Sequence, residues 1–382
     1  MRKHYAIDYA SLQPARGLVW EEGREASEFV LPYEKGKPEE SEKARLEFIQ
    51  SLTPLDTLWL EMGPTHRFAL AAYRQGAQVR RISSHYTKEG RKKFNLPKNE
   101  IRTVLRQLTI EESAKFYSFA EMDAEIAEVG LLAKAYYTVQ DIRKRAAQRL
   151  AATQNDLFLV SRTGVIDVEQ TVQRKLANLV YFAGVLAEQP DRALADMVAN
   201  QFQLIEDILY SELGRKLNSL PIYQQLFQHI TGCGPAISAI IIYYIADIAF
   251  FETPAKLKHY AKLHQNPDGS RPCNIVGVQS SWNQRFAQPF WLFAVQTRMF
   301  GRPDNVWKQA YLKRVKYESS RTLPEDEEIV KNASTRMLAE VQRRRAMRWI
   351  AQKLCVHIHH RWNAVKAGTE YHEPDFECLR GD

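Results

Sequence analysis

No apolar run in the sequence is long enough to cross a membrane: the longest, from Ala236 to Ile245, is about half of the roughly 20 residues that a spanning helix needs. Cysteine is scarce as well. Cys233, Cys273, Cys355 and Cys378 form no Cys-x-x-Cys pair, so neither a disulfide framework nor a zinc ribbon is indicated, and reduced thiols fit best. The sequence also lacks the apolar core and small-residue cleavage site of a signal peptide, because Met1-Arg2-Lys3-His4 leads straight into a strand-like pattern. The expectation is a cytoplasmic protein with no membrane partner.

What is present is ample core-forming material, 45% hydrophobic residues in 382, enough for about two or three domains. Lys and Arg number 53 against 45 Asp and Glu, a net charge of +8. That excess favours a polyanionic partner, because clustered cations release counterions when they neutralise phosphates.

The pattern along the chain divides it into three segments. Residues 1–115 read as α/β, with strands at 4–9, 17–20, 27–31, 57–61 and 79–83 and helices at 40–51 and 65–75. Residues 116–220 carry apolar positions at helical spacing over 122–154, 168–187 and 191–217, which predicts a long helical hairpin acting as a coiled-coil spacer or dimer interface. Residues 221–382 read as mainly helical. There Ile230-Thr231-Gly232-Cys233-Gly234-Pro235 places two glycines in a turn between helices, where a backbone without Cβ can approach a phosphate closely. A simple helix cap explains the same residues.

Two acids stand out. Asp8 ends the apolar run Tyr5-Ala6-Ile7, and Glu61 lies in a second run, Leu58-Trp59-Leu60, about fifty residues later. Carboxylates projected from rigid strands suit a hard divalent cation, whereas strand ends without any site would leave the same pattern.

Three successive motifs carry a family resemblance: the Gly-x-Gly-Pro turn at 232–235, then Ile245-Ala246-Asp247-Ile248-Ala249-Phe250-Phe251, then Leu257-Lys258-His259-Tyr260-Ala261-Lys262-Leu263. In order and spacing they resemble the C-terminal domain of the DEDD insertion-sequence transposases, bridge-RNA-guided recombinases related to the Piv-type DNA invertases. The N-terminal segment resembles that family's ribonuclease H-like (RuvC-like) domain, with Asp8 and Glu61 at the positions of its first two acids. The last two acids correspond to Glu100 and Thr103 in Lys98-Asn99-Glu100-Ile101-Arg102-Thr103, so the fourth carboxylate is replaced by a hydroxyl. Ser270 stands at the spacing of the family's serine nucleophile, with Ser280 and Ser281 as the other candidates.

The resemblance implies an α/β plus α architecture: a ribonuclease H-like domain, a helical coiled-coil spacer, and a C-terminal transposase domain with a helix-hairpin-helix-like element. It implies cut-and-join chemistry on DNA, with Ser270 attacking a phosphate beside Mg2+ held by Asp8, Glu61 and Glu100. It also implies a guide RNA and a homo-dimer or tetramer on DNA. The alternative is a degenerate relative that binds DNA or RNA without cleaving it. Gly232 and Gly234 would hold backbone phosphates, and the basic helix at 335–362 would add Arg344, Arg345 and Arg348, with Trp349 and Trp362 interleaved. His357, His359 and His360 do not converge on one point at helical spacing and read as structural.

Overall fold

The computed structural model describes residues 2–8, 13–33, 38–62, 65–97, 99–163, 192–266, 272–273, 282–321 and 335–369. The chain divides into two compact units, Met1–Glu128 and Val129–Asp382. Together they form an α/β plus α protein. No helix among the described residues is long and apolar enough to cross a membrane.

The N-terminal unit is built on a six-stranded mixed sheet in the order β3-β2-β1-β4-β5-β6. Its strands are β1 (Lys3–Asp8), β2 (Ala15–Glu21), β3 (Ser27–Leu31), β4 (Thr57–Glu61), β5 (Gln78–Ile82) and β6 (Tyr117–Ser118). The first three pair antiparallel, β1, β4 and β5 run parallel, and β6 closes the far edge antiparallel to β5. Helices α1 (Pro38–Gln50) and α2 (His66–Arg74) make the crossovers that parallel strands require. They are followed by α3 (Ser84–Lys93) and α4 (Ile101–Glu111). At Gly17 an added Cβ would sit 2.2 Å from the Phe29 ring on the neighbouring strand, so only glycine lets that ring lie across β2.

Alternation along the strands assigns the two faces. Ile7, Leu58, Leu60 and Val79 pack with Ile49, Phe68, Ala69 and Ala72 of α1 and α2. Ala6, with Trp59 beside it, and Ile82 point the other way, onto Val104, Leu105 and Leu108 of α4. The expected strands and helices agree with β1 to β5, α1 and α2 to within about three residues, whereas α3, α4 and β6 have no expected counterpart.

The long helix α5 (Glu121–Thr163) begins in the first unit and continues in the second, where α6 (Arg192–Leu217) follows. The expected helix at 168–187 lies outside the described residues. Beyond the short α7 (Pro221–Gln225) comes α8 (Pro235–Ile245), apolar on every side and buried at nearly every residue, as a helix without a polar face must be. The remaining helices are α9 (Pro254–Tyr260), α10 (Gln284–Phe300), α11 (Val306–Ser320) and α12 (Thr335–Lys366). Helix α12 is the spine of this unit, packing on α9, α10 and α11. Phe286, Phe290, Phe293 and Trp307 fill the space beneath it, Phe293 meeting Trp307 edge-on at 5.1 Å.

Candidate functional site

Strands β1 and β4 are parallel neighbours at the centre of the sheet, with Ile7 opposite Leu60. The next residue of each strand is an acid, so Asp8 and Glu61 end the two strands side by side. Alternation turns both away from Ile7 and Leu60, toward the face covered by α3 and α4. Thr87 of α3, itself 1% exposed, places its hydroxyl 2.8 Å from Glu61 Oε1.

Glu100 stands at the N-cap of α4 but does not cap it through its side chain. Its carboxylate turns instead to its own helix. Thr103 Oγ1 donates to Oε2 at 2.8 Å, and Arg102 Nη2 lies 3.4 Å from Oε1. The same Arg102 nitrogen donates to Glu28 Oε1 of β3 at 3.1 Å. Arg102 is only 5% exposed, and its Nε and Nη1 are buried without an acceptor among the described residues.

Electrostatically the site is unbalanced. Burial pushes the Asp8 carboxyl above its ordinary pKa, and the Glu61 charge pushes it further; Arg102 and Arg16 pull it down, while Glu100 again raises it. Acids gathered so that one is hard to ionise are the arrangement a cation relieves. Oxygen donors on rigid strand ends fit a hard ion at Asp8 and Glu61. No group of three His, Cys, Asp or Glu side chains among the described residues is placed to hold a metal. The structure thus brings Asp8, Glu61 and Glu100 into one field, while both Glu100 oxygens already have donors.

Ser270, Ser280 and Ser281 lie outside the described residues. The two glycines of the turn before α8 differ. Gly232 has φ +97, the left-handed region, whereas Gly234 has φ −61 in ordinary extended backbone as the N-cap of α8. Ser238 Oγ closes the turn by donating to the Cys233 carbonyl at 2.8 Å. Asp247 of the second motif accepts from the Ala249 amide and pairs with Lys366 Nζ at 2.8 Å, a fold-holding role.

The basic face of α12 is heterogeneous. Arg344 is 63% exposed and lies 3.6 Å from Glu340, Arg345 is partly exposed, and Arg348 donates to the His264 carbonyl at 2.8 Å. Trp362 is in the core, edge-on to Phe227, whereas Trp349 has the Arg314 and Lys353 cations each 5.4 Å from its ring centre. His357 is buried edge-on to Trp307, and burial lowers its pKa to about 3. His359 Nε2 lies 2.7 Å from the Phe251 carbonyl oxygen, while His360 is exposed.

Reading the sequence alone passed over Arg102, Glu28, Arg16 and Thr87. The available signal was Arg102, a cation two residues after an acid already singled out. The sequence matches no protein-family model and no curated protein.

Proposed function

We propose that the N-terminal unit is a ribonuclease H-like domain and that the protein is a DNA recombinase or transposase, cutting and rejoining strands through a serine nucleophile. One observation carries this reading: adjacent parallel strands in the middle of a β3-β2-β1-β4-β5-β6 sheet end on two acids, and a helix packed on that face brings a third. The sequence motifs of the C-terminal segment and the net charge of +8 support a nucleic-acid partner.

In this reading Asp8 and Glu61 would hold Mg2+, which would supply positive charge to the phosphate under attack. Thr87 fixes the rotamer of Glu61 by its hydroxyl, as outer-shell donors orient metal-binding carboxylates. Ser270 Oγ attacks the phosphorus and forms a phosphodiester link to the protein as one P–O bond to deoxyribose breaks; the serine proton passes to solvent, and the leaving 3′ or 5′ oxygen takes one up to become a hydroxyl. The exposed Arg344 and the partly exposed Arg345 contact backbone phosphates. The partners are DNA, a guide RNA and further copies of the chain.

A second reading, a relative that binds nucleic acid without cleaving it, is favoured by one local fact: a neutral hydroxyl at Thr103 and a cation at Arg102 beside the third acid. The two part on a single experiment. The protein is incubated with Mg2+, DNA carrying its element ends and the RNA that co-purifies with it, and a covalent protein–DNA adduct is sought on denaturing gels. The recombinase reading expects an adduct lost in Ser270→Ala and Asp8→Asn; retained DNA binding with no adduct selects the binding protein.

A further inference from the structure

We propose that Arg102 is a built-in counter-cation that withholds Glu100 from any divalent ion, leaving Asp8 and Glu61 as a two-carboxylate site. The inference rests on the cation-site reading above and concerns how that site is tuned.

The Glu100 carboxylate has four lone-pair directions, and each of its oxygens already faces a donor: Thr103 at 2.8 Å on one and Arg102 at 3.4 Å on the other. The second donor is a permanent charge. A guanidinium does not deprotonate, so an ion that approached Glu100 would meet a fixed positive charge within ion-pair distance. Nor is this guanidinium free to swing away. It is 5% exposed on a helix whose Val104, Leu105 and Leu108 are wholly buried, and Nη2 is tethered to Glu28 across 74 residues of sequence.

Glu61 presents the opposite case. Its Oε1 faces a hydroxyl, which orients a carboxylate without cancelling its charge. Asp8 stands opposite Arg16 across the β1–β2 ladder but makes no ion pair among the described residues. Neither strand-end carboxylate is therefore tied to a cation, while Glu100 is paired within its own helix. A plain strap between β3 and α4 would explain the Arg102–Glu28 bond alone; it does not explain why the Glu100 carboxylate abandons the helix N-terminus it could cap.

The test is Mn2+ binding to the full-length protein, followed by calorimetry and by the electron paramagnetic resonance signal of free Mn2+. Asp8→Asn and Glu61→Gln are expected to weaken binding by about tenfold or more, and Glu100→Gln to change it by less than about threefold. Arg102→Met, similar in bulk and uncharged, frees Glu100 and is expected to tighten binding about tenfold, a gain abolished in the double variant Arg102→Met/Glu100→Gln. Glu100→Gln weakening Mn2+ as much as Asp8→Asn would overturn the proposal, as would an Arg102→Met that folds and binds no more tightly. Circular dichroism checks folding, and if Arg102→Met does not fold, the Glu100→Gln result decides alone. The site reading fails separately: Asp8→Asn and Glu61→Gln would then leave Mn2+ binding unchanged.

Discussion

Glu340 in the C-terminal unit and Asp8 in the N-terminal unit are both partly buried carboxylates, and the protein treats them in opposite ways. Glu340 accepts from both terminal nitrogens of Arg298, at 2.9 and 3.0 Å, and Arg298 holds its carboxyl below the ordinary pKa. Asp8 is placed beside Glu61 and held above the ordinary value. The same contrast recurs. In the C-terminal unit Glu206 pairs with Arg143 and Glu318 with Arg314, and His357 is buried in its neutral form. At these buried groups charge is matched or absent, as stability favours; at the sheet ends of the N-terminal unit like charges are assembled, which stability does not favour and a ligand can.

The comparison can be pressed hardest through acid. His357 is neutral in the folded protein down to about pH 3, whereas in the unfolded chain it takes up a proton near its ordinary value of 6.5. The unfolded state therefore binds more protons between these values, so this stability is complete above pH 6.5 and is lost as pH falls toward 3. About 3 kcal/mol is expected to go by pH 4. In His357→Leu the difference in melting temperature between pH 7 and pH 4 should shrink; an unchanged difference refutes the neutral-core description.

Breaking a matched pair comes next. Glu206→Ala strands the Arg143 guanidinium, which is 28% exposed and so partly screened, and a loss of about 2 kcal/mol is expected in urea unfolding. Gly232→Ala follows, with about 1 kcal/mol lost because an L-residue is strained at φ +97, while Gly234→Ala should cost about half as much, through a poorer N-cap and a Cβ 3.3 Å from the Tyr210 hydroxyl. DNA binding by filter retention then separates strain from phosphate contact. If Gly234→Ala weakens binding more than the costlier Gly232→Ala does, the turn touches nucleic acid.

The smallest effect has the opposite sign. Asp8→Asn removes a carboxylate that is held above its ordinary pKa, and without divalent ions it should raise stability slightly. Added Mn2+ should stabilise the unmutated protein and not the variant. A melting temperature lowered by Asp8→Asn in metal chelator would mean that Asp8 is matched like Glu340, and the contrast between the units would collapse.

The sheet was legible because its strands alternate and its helices carry apolar stripes, and Asp8 and Glu61 were legible because acids at the ends of apolar runs break that pattern. The register that sets them side by side, Ile7 opposite Leu60, is a property of the folded sheet. Arg102 was not legible in the same way. Its meaning depends on Glu28, which reads locally as a surface residue of β3 and meets it only when the sheet has formed. Nor does sequence separate Gly232 from Gly234, or Trp362 from Trp349: the first pair differs in a backbone angle and the second in the helices packed against each ring. The two-residue β6, too short for any periodicity, takes its identity from pairing with Arg80 and Arg81.

The central place of β1 in the sheet also governs when the site can exist during synthesis. Of the strands of this sheet β1 is made before the others and is hydrogen-bonded early only to β2; its parallel partner β4 is made about fifty residues later, and Glu100 with α4, which carries Arg102, later still. Until then the Asp8 edge of β1 is an open strand with no neighbouring acid, and Arg16 of β2 is the cation beside it. A nascent or truncated chain ending before residue 100 therefore carries neither Glu100 nor Arg102, and whatever the acids hold is acquired only after the N-terminal unit has closed.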